Sequence, residues 1–337
     1  MVMAVSEDPR SAAISLSGSD RIEIARVARA RPVRLTKRMT VEEAFRVTVL
    51  ECLAQVAANA PAVLQSHDAE GLHQMRVGLR RLQVALNAFG EEFRTAALKD
   101  LRKRTKAFAD TIGPARDLDV FLGELLDEPA RAGGGEAFGL LRERAEEAQK
   151  LAWEHATQSI AGASFSGFLD DVAVAAETHS WFTKGLRGTG SDPQFAVDAP
   201  IKPTAARMLD ENFARVSKRG RHMRSLNERE RHRLRISLKK LRYSAEFFGP
   251  LYKKKGVRRY LRRLKALLED LGALNDVVAV RTTLTRLTHE ESAQREFPDL
   301  CFAAGMINGW HGARAHALNK RAVRRWEKFR KTDPFWR

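Results

Sequence analysis

Two segments of the chain, 159 residues apart, carry a histidine and a set of basic residues in the same order. HQMRVGLRRL begins at His73, and HRLRISLKKL begins at His232. Arginine presents a planar fork of N–H donors to phosphoryl or carboxylate oxygens, while lysine presents a compact point charge. Matching cations at matching positions therefore predict a binding site for a ligand that carries many negative charges.

The similarity between the two segments continues without a gap from His73 to Val120. Eleven of these 48 positions are identical in the second copy. Eight positions are basic in both copies: Arg76/Arg235, Arg80/Lys239, Arg81/Lys240, Arg94/Lys253, Lys99/Arg258, Lys103/Arg262, Arg104/Arg263 and Lys106/Lys265. Self-similarity at a fixed offset indicates an internal duplication.

On a helical wheel the first cations of each copy form one row. Arg76, Arg80 and Gln83 align in the first copy, and Arg235, Lys239 and Arg242 align in the second. Apolar residues lie on both sides of each row. One side is the core face, which in the first copy consists of Met75, Leu79, Leu82, Leu86 and Phe89. The other side is a second apolar edge, formed by Val77 and Val84 in the first copy and by Ile236, Tyr243 and Phe247 in the second. We therefore expect partly desolvated cations, which attract an anion more strongly because the effective dielectric constant is lower.

A second row of cations, Lys99, Lys103 and Lys106, is matched by Arg258, Arg262 and Lys265. Alone, it is typical of a solvated helix face. Its recurrence in both copies favours a second interpretation, in which it lines the same channel as the first row, and we include it among the candidate ligand-binding residues.

The histidines and nearby carboxylates have alternative roles. His73 and His232 either bond to a backbone carbonyl or carboxylate near a helix start or contact the anion. Neither has a second His or Cys at i+3 or i+4, so no metal site is expected. Asp117 and Asp276 either cap the next helix or orient an arginine. Glu246 either positions Arg242 or Lys239 or neutralises one of them.

These residues must be positioned by helices, because apolar residues recur with a period near 3.6. The pattern predicts an all-α fold of two pseudo-symmetric helical bundles that form one domain. Gly113 and Gly272 are expected to end the third helix of each half. The predicted units are a loosely ordered extension (1–35), a first half (36–182), a Gly- and Pro-rich linker (183–200) and a second half (201–337). The predicted helices are 40–60, 69–90, 95–112, 116–128, 136–160 and 164–181, then 203–219, 227–249, 255–271, 275–289, 296–308 and 311–331.

The charge of the chain is concentrated in one stretch. The net charge is +17, and residues 202–265 alone contain 22 Lys/Arg against 5 Asp/Glu. A localised excess favours a negatively charged partner over a general effect on solubility.

No signal peptide or membrane span is expected, because we find no run of about 18 apolar residues. Cys52 and Cys301 form no CxxC pair, which fits a reducing cytoplasm.

The two histidine-containing segments, with the later turns IGPARDLDV and LGALNDVVA, resemble the CHAD family, the conserved-histidine α-helical domains. The resemblance covers roughly residues 36–337. It implies a basic channel between two helical halves that binds inorganic polyphosphate. The family's histidines fall on His73 and His232. Its basic positions fall on Arg76, Arg80, Arg81, Arg235, Lys239, Lys240 and Arg242.

ARPVRLTKRMTVEEAF (30–45) resembles the junction that follows a CYTH triphosphatase domain in CYTH–CHAD proteins. No ExExK-type set of carboxylates and lysine occurs in the residues before it. The prediction is therefore a CHAD domain without the CYTH enzyme. We expect a non-catalytic, cofactor-free polyphosphate-binding protein of the cytoplasm, and the resemblance suggests the hypothesis that it associates with polyphosphate granules. Nucleic-acid or ribosome binding is the first alternative, and an enzyme acting on polyphosphate or triphosphate is the second.

Overall fold

The computed structural model describes residues 26–89, 95–133, 136–179, 181, 197–288 and 297–337. Within these ranges the fold is all-α, as predicted, and the only β-type contact is an isolated bridge between Thr40 and Pro200. The helices are α1 (Val41–Ser66), α2 (Ala69–Ala88), α3 (Ala96–Thr111), α4 (Gly113–Val120), α5 (Asp127–Gly133), α6 (Glu136–Ala161), α7 (Ala163–Thr178), α8 (Ile201–Gly220), α9 (Glu228–Phe248), α10 (Lys254–Thr288) and α11 (Phe297–Arg330). A π-helical turn, Phe121–Leu125, connects α4 to α5.

Side-chain caps fix the start of the two helices that carry the histidines. Asp68 caps α2 by accepting a hydrogen bond from the backbone N–H of Gly71 (2.8 Å). Asn227 and Glu230 form a reciprocal capping box at the start of α9. Such caps satisfy N–H groups that have no partner within the helix. Both histidines consequently occupy the fifth position of their helix.

Two predicted helix breaks in the second half are wrong. α10 continues through Gly272 to Thr288, and α11 continues through Gly309 to Arg330. Gly113 is the first residue of α4 and lacks the positive φ that a C-terminal glycine cap requires. At both glycines an arginine side chain lies beside the backbone, at the site described below.

The two halves share their core. The largest buried cluster includes Phe45 and Phe89 of the first half with Phe248 and Tyr260 of the second. A smaller cluster joins the π-helical turn and α6 to α10 and α11. The sequence predicted two bundles, whereas the buried side chains extend from one half into the other. This continuity holds α2 against α9.

The segments before α1 and α8 are attached to the helices. Residues 26–35 were expected to be loosely ordered, but Val33 and Leu35 are buried. The backbone of Ala28 also exchanges two hydrogen bonds with the side chain of Asn59 (3.0 and 2.8 Å). Residues 197–200, at the end of the predicted linker, pair with Thr40 and with the first residues of α1. Residues 1–25, Arg94 and most of the predicted linker lie outside the described residues.

One helix in the described part of the chain, α1, is long and apolar enough to cross a membrane by length and composition, with a mean hydropathy of 1.5 over its most apolar window. Half of that window is buried inside the fold. The helix packs against α2 and α7 and buries the polar side chains of Thr48, Gln55 and Asn59. Its place in the shared core accounts for its apolar composition.

Candidate functional site

A solvent-open cleft of about 520 Å³ lies where α2, α4, α9 and α10 meet. Both predicted histidines, His73 and His232, line it, together with the predicted carboxylates Asp117 and Asp276. Its basic lining residues are Arg76, Arg80, Arg116, Arg235, Lys239 and Arg286. The structure thus brings most of the first predicted row of cations, from both copies, into one cavity.

The cations of the two helices meet because α2 and α9 pack against each other. Val84, Tyr243 and Phe247, which the sequence suggested as apolar borders of a groove, are at most 7% exposed. The guanidinium of Arg81 on α2 lies over the ring of Phe247 on α9, 5.6 Å from its centroid. Most of the second apolar edge is therefore buried in the core, and the adjoining cations of both helices face the same cleft.

Lys239 is the most strongly perturbed group of the cleft. Burial, the largest cause, and the positive charges of Arg80, Arg235 and Arg242 together lower its pKa to about 6. Burial also lowers the pKa of Arg80 and of Arg235. Among the described residues, neither Lys239 nor Arg80 has a hydrogen bond or an ion pair. Both side chains are half-buried. An unpaired cation that is partly removed from water is energetically costly, and a bound anion would remove much of that cost.

Matched positions of the repeat make matched contacts at the edge of the cleft. Arg76 donates to Asp117 Oδ1 (2.6 Å) and to the carbonyl oxygen of Gly113 (3.2 Å). A Cβ atom on Gly113 would lie 3.7 Å from Arg76 Nη2, and one on Gly272 would lie 3.8 Å from Arg235 Nη2. An arginine therefore lies beside the backbone at each glycine, at a distance that would also accommodate an alanine.

The two aspartates do not cap helices. Asp117 lies within α4, whose N-cap residue makes no side-chain hydrogen bond, and Asp276 lies in the interior of α10. Asp117 orients Arg76, which was the alternative interpretation. Burial raises the pKa of Asp276, and the nearby charge of Arg235 opposes this rise. The N-cap interpretation is wrong because the helix boundaries differ from the predicted ones.

The histidines have different neighbours at equivalent positions. His232 Nδ1 lies 2.8 Å from Asn275 Oδ1, so Nδ1 is the donor and Nε2 is left for other contacts. At the position equivalent to Asn275 the first copy has Arg116, and burial followed by the charge of Arg116 lowers the pKa of His73. The sequence comparison missed both residues because they differ in type between the copies. It missed Arg286 because this residue lies beyond the matched positions.

Arg242 borders the cleft without lining it. Its guanidinium stacks on the ring of Tyr243 at 4.5 Å, and its Nε lies 3.9 Å from Glu246 Oε1. Glu246 also pairs with Lys265 at 3.2 Å. Glu246 therefore interacts with both Arg242 and Lys265, and its negative charge partly neutralises both cations.

Two predicted residues lie away from the cleft. Arg81 is 4% exposed and donates to Gln55 Oε1 (2.5 Å) and to the carbonyl oxygen of Arg31 (3.2 Å). Lys240 lines a separate, smaller pocket beside Ser244. Each follows a cleft residue directly in sequence, and the helical rotation of 100° per residue turns it towards other neighbours.

The second predicted row of cations is also outside the cleft. Lys99 and Lys103 are exposed, and Lys106 forms an ion pair with Asp110. Arg258, Arg262 and Lys265 are exposed on α10. None of the six lines the cavity. For this row the expectation of a shared channel is wrong, and a solvated helix face describes it better.

The fold and the cleft together define an all-helical domain with a cation-lined cavity. The family model of the CHAD domain matches residues 48–285, and the chain belongs to this family. The crystal structure of the CHAD domain from the plant Ricinus communis is similar, with a TM-score of 0.72 and 26% identity, covering 88% of this chain and 96% of that one. PptA from Streptomyces chartreusis has a similar fold, with a TM-score of 0.65 and 16% identity, covering 86% of this chain and 100% of that one. Comparison with curated protein sequences produced no match.

Proposed function

We propose that the chain binds inorganic polyphosphate in this cleft and does not act on it chemically. The observation that carries the proposal is the cluster of Lys239 with Arg80, Arg235 and Arg242, in which half-buried cations lie close enough to lower the pKa of Lys239. Such a cluster is costly without an anion, and a ligand with a negative charge on every repeating unit offers an acceptor to each cation.

The geometry of the cleft suits a chain better than a single small anion. Cations from α2 and α9 face each other, and Arg116 and Arg286 extend the basic lining to α4 and to the C-terminal part of α10. The cavity is open to solvent, so a polyanion longer than the cleft can extend beyond it. The two carboxylates in the cleft, Asp117 and Asp276, each lie near an arginine, which limits their repulsion of the ligand.

A double substitution tests the proposal. Arg80→Gln with Lys239→Gln removes two cleft charges, and Lys99→Gln with Lys103→Gln removes two exposed charges elsewhere. We expect the cleft variant to bind long-chain polyphosphate at least tenfold more weakly, from about 1.5–3 kcal/mol per lost charged hydrogen bond. We expect the control to lose less than about threefold, from solvent-screened charges alone. Equal losses in the two variants would show that net charge, and not the cleft, determines binding.

Nucleic-acid or ribosome binding is the first competing function, because phosphodiester backbones attract the same cations. The cleft has one aromatic lining residue, Phe121, which is buried and so offers little surface for base stacking. Competition between polyphosphate and RNA at equal phosphate concentration separates the two functions. Preference for RNA would overturn the proposal.

An enzyme acting on polyphosphate or triphosphate is the second competing function. Catalysis at this site would be established if either compound released phosphate in the presence of Mg²⁺ or Mn²⁺ and if the Arg80→Gln, Lys239→Gln variant did not.

We propose binding without turnover, and we also propose a cytoplasmic location on polyphosphate granules. A fluorescent fusion that stays diffuse in cells containing granules would contradict the second part.

A further inference from the structure

A second cationic cavity lies at the opposite end of α9 from the cleft. It has a volume of about 570 Å³, and we call it the Tyr252 pocket. Its lining residues are Lys37, Lys202, Leu251, Tyr252, Lys253, Lys255, Gly256, Arg259, Phe335, Trp336 and Arg337. It shares no lining residue with the cleft. Arg235 in the cleft and Phe248 at the end of α9 are about 20 Å apart along the helix axis, at 1.5 Å per residue.

Four lysines of this pocket have no carboxylate partner among the described residues. Lys37 precedes α1, Lys202 is in the first turn of α8, and Lys253 and Lys255 lie at the start of α10. The two arginines are different, because Arg259 pairs with Asp333 (3.2 Å) and Arg337 pairs with Asp210 (2.7 Å). Three separate segments thus direct unpaired ammonium groups to one cavity.

The start of α10 adds to the positive potential of the pocket. This helix has 35 residues, and its first turn contains no acidic residue. A helix N-terminus carries a partial positive charge and usually has Asp or Glu nearby. Here Lys253, Lys254 and Lys255 occupy that position instead. A bound anion would reduce the repulsion among the lysines and the helix dipole.

The rest of the lining is aromatic and apolar. Tyr252 and Phe335 are half-buried, and their ring centroids lie 5.3 Å apart in an edge-to-face arrangement. Lys202 Nζ lies 5.9 Å from the centroid of the Tyr252 ring. A Cβ atom on residue 256 would lie 3.2 Å from Phe335 Cβ, so Gly256 permits the close approach of this ring to α10. Burial raises the pKa of Tyr252 to about 12, and its phenol therefore remains uncharged beside an anion.

We propose that the Tyr252 pocket binds a nucleoside triphosphate, with the phosphates on the unpaired lysines and the start of α10 and the base against Tyr252 and Phe335. The volume lies within the range of small-molecule sites, about 300–1,000 Å³. An inorganic polyanion uses the lysines but gains nothing from the rings, whereas a nucleotide uses both. The proposal is independent of polyphosphate binding in the cleft, because the two cavities have separate linings.

Isothermal titration calorimetry in EDTA, with ATP and inorganic triphosphate as probes, tests the contribution of the base. Base–aromatic stacking contributes about 1–3 kcal/mol, so we expect ATP to bind roughly fivefold or more tightly than triphosphate at this pocket. Both probes are titrated into the Arg80→Gln, Lys239→Gln variant, in which the cleft is weakened. Equal affinities of the two probes in this background would overturn the proposal.

A pair of charge-matched variants locates the binding. Lys253→Ala with Lys255→Ala removes two charges that line the pocket, and Lys320→Ala with Lys331→Ala removes two exposed lysines that neither line it nor lie at the start of α10. We expect ATP affinity to fall at least tenfold in the first variant and less than threefold in the second, with unchanged melting temperatures, because all four side chains are exposed. Equal losses would contradict the assignment.

A short oligoadenylate distinguishes a free nucleotide from a segment of RNA. If the oligoadenylate binds and ATP does not, the pocket recognises RNA and the nucleoside triphosphate proposal is wrong. If ATP binds in the cleft-weakened background and loses affinity in the Lys253→Ala, Lys255→Ala variant, the proposal is supported. Neither result depends on whether the cleft binds polyphosphate.

Discussion

Arg76 and Asp117 form an ion pair of 2.6 Å that connects α2 to α4 at the edge of the cleft. The carboxylate is 65% exposed and the guanidinium is 22% exposed. The pair therefore contributes little to folding stability, because solvent screens it. Its effect is to hold one arginine in a fixed orientation towards the ligand.

Asp117→Asn is expected to weaken polyphosphate binding although it makes the protein more positive. Asn keeps an oxygen acceptor but loses the charge, so Arg76 is held less firmly. A weakening of its contact with the ligand by about 1 kcal/mol corresponds to roughly a fivefold change in Kd. Asp110→Asn is the matched control, because it makes the same change beside the exposed Lys106. Tighter binding by both variants, measured by fluorescence anisotropy, would show that the added charge outweighs the orientation of Arg76.

Binding of long-chain polyphosphate is expected to take up a proton at Lys239. In the free cleft the pKa of Lys239 is about 6, so the amine is largely neutral at pH 7.5. A polyanion beside it favours the charged form and raises this pKa. Affinity should therefore rise as the pH falls from 8 towards 6 and should level off below 6, where Lys239 is already protonated in the free protein.

Calorimetry in two buffers of different ionisation enthalpy measures the proton uptake directly. Lys239→Met should abolish the uptake between pH 7 and 8. His73 also has a lowered pKa, below its usual 6.5, so its contribution falls at lower pH. Undiminished proton uptake by Lys239→Met at pH 7.5 would assign the proton to another group.

The folding stability of the ligand-free protein should depend on the same lysine. The pKa of Lys239 is lower in the folded state, about 6, than the usual 10.5, so the unfolded state binds more protons between these values. The free energy of unfolding should consequently rise with pH across that window. Lys239→Met should stabilise the free protein at pH 6 by about 1–4 kcal/mol in urea unfolding, as when a buried charge is replaced by an apolar side chain.

The sequence predicted the helical class and the helix faces that line the cleft, because both depend on local periodicity. The repeat placed Arg76, Arg80, Arg235 and Lys239 on equivalent helix faces, and these faces do meet at one cavity. Gly272 was misleading, since it lies within a continuous helix, whereas α3 does end just before Gly113. A glycine in a sequence either ends a helix or lies within one beside a neighbouring side chain. The sequence does not distinguish these two roles, and the structure does so by placing Arg235 beside Gly272.

Residues that depend on packing between helices were predicted less well. The apolar side chains of Tyr243 and Phe247 suggested a groove border, and only the contact between α2 and α9 shows that they are buried. Arg116 and Asn275 share a position of the repeat but not a residue type, so a search for shared cations did not reveal them. A search for shared positions next to Asp117 and Asp276 would have found both.

Arg81→Met is expected to reduce stability and leave ligand affinity nearly unchanged. Arg81 is buried, and its loss would leave Gln55 Oε1 without this donor, at a cost of about 1–3 kcal/mol. Because Arg81 does not line the cleft, the folded fraction should bind polyphosphate with less than about a threefold change. Urea unfolding and a binding assay on the same sample measure the two effects. A large loss of affinity with normal stability would place Arg81 in the binding site after all.

Gly272 provides the last prediction, because two substitutions there separate helix stability from the position of Arg235. A Cβ atom on residue 272 would lie 3.8 Å from Arg235 Nη2, an ordinary van der Waals distance. Gly272→Ala should therefore be tolerated and should stabilise α10 by up to about 1 kcal/mol, the difference in helix propensity. Gly272→Leu extends the side chain into the space of the guanidinium, so it should displace Arg235 and weaken polyphosphate binding roughly tenfold, the effect of one lost charged hydrogen bond. Melting temperature and Kd, measured for both variants, should change independently of each other. Full affinity in Gly272→Leu would mean that Arg235 binds the ligand without the position that Gly272 provides.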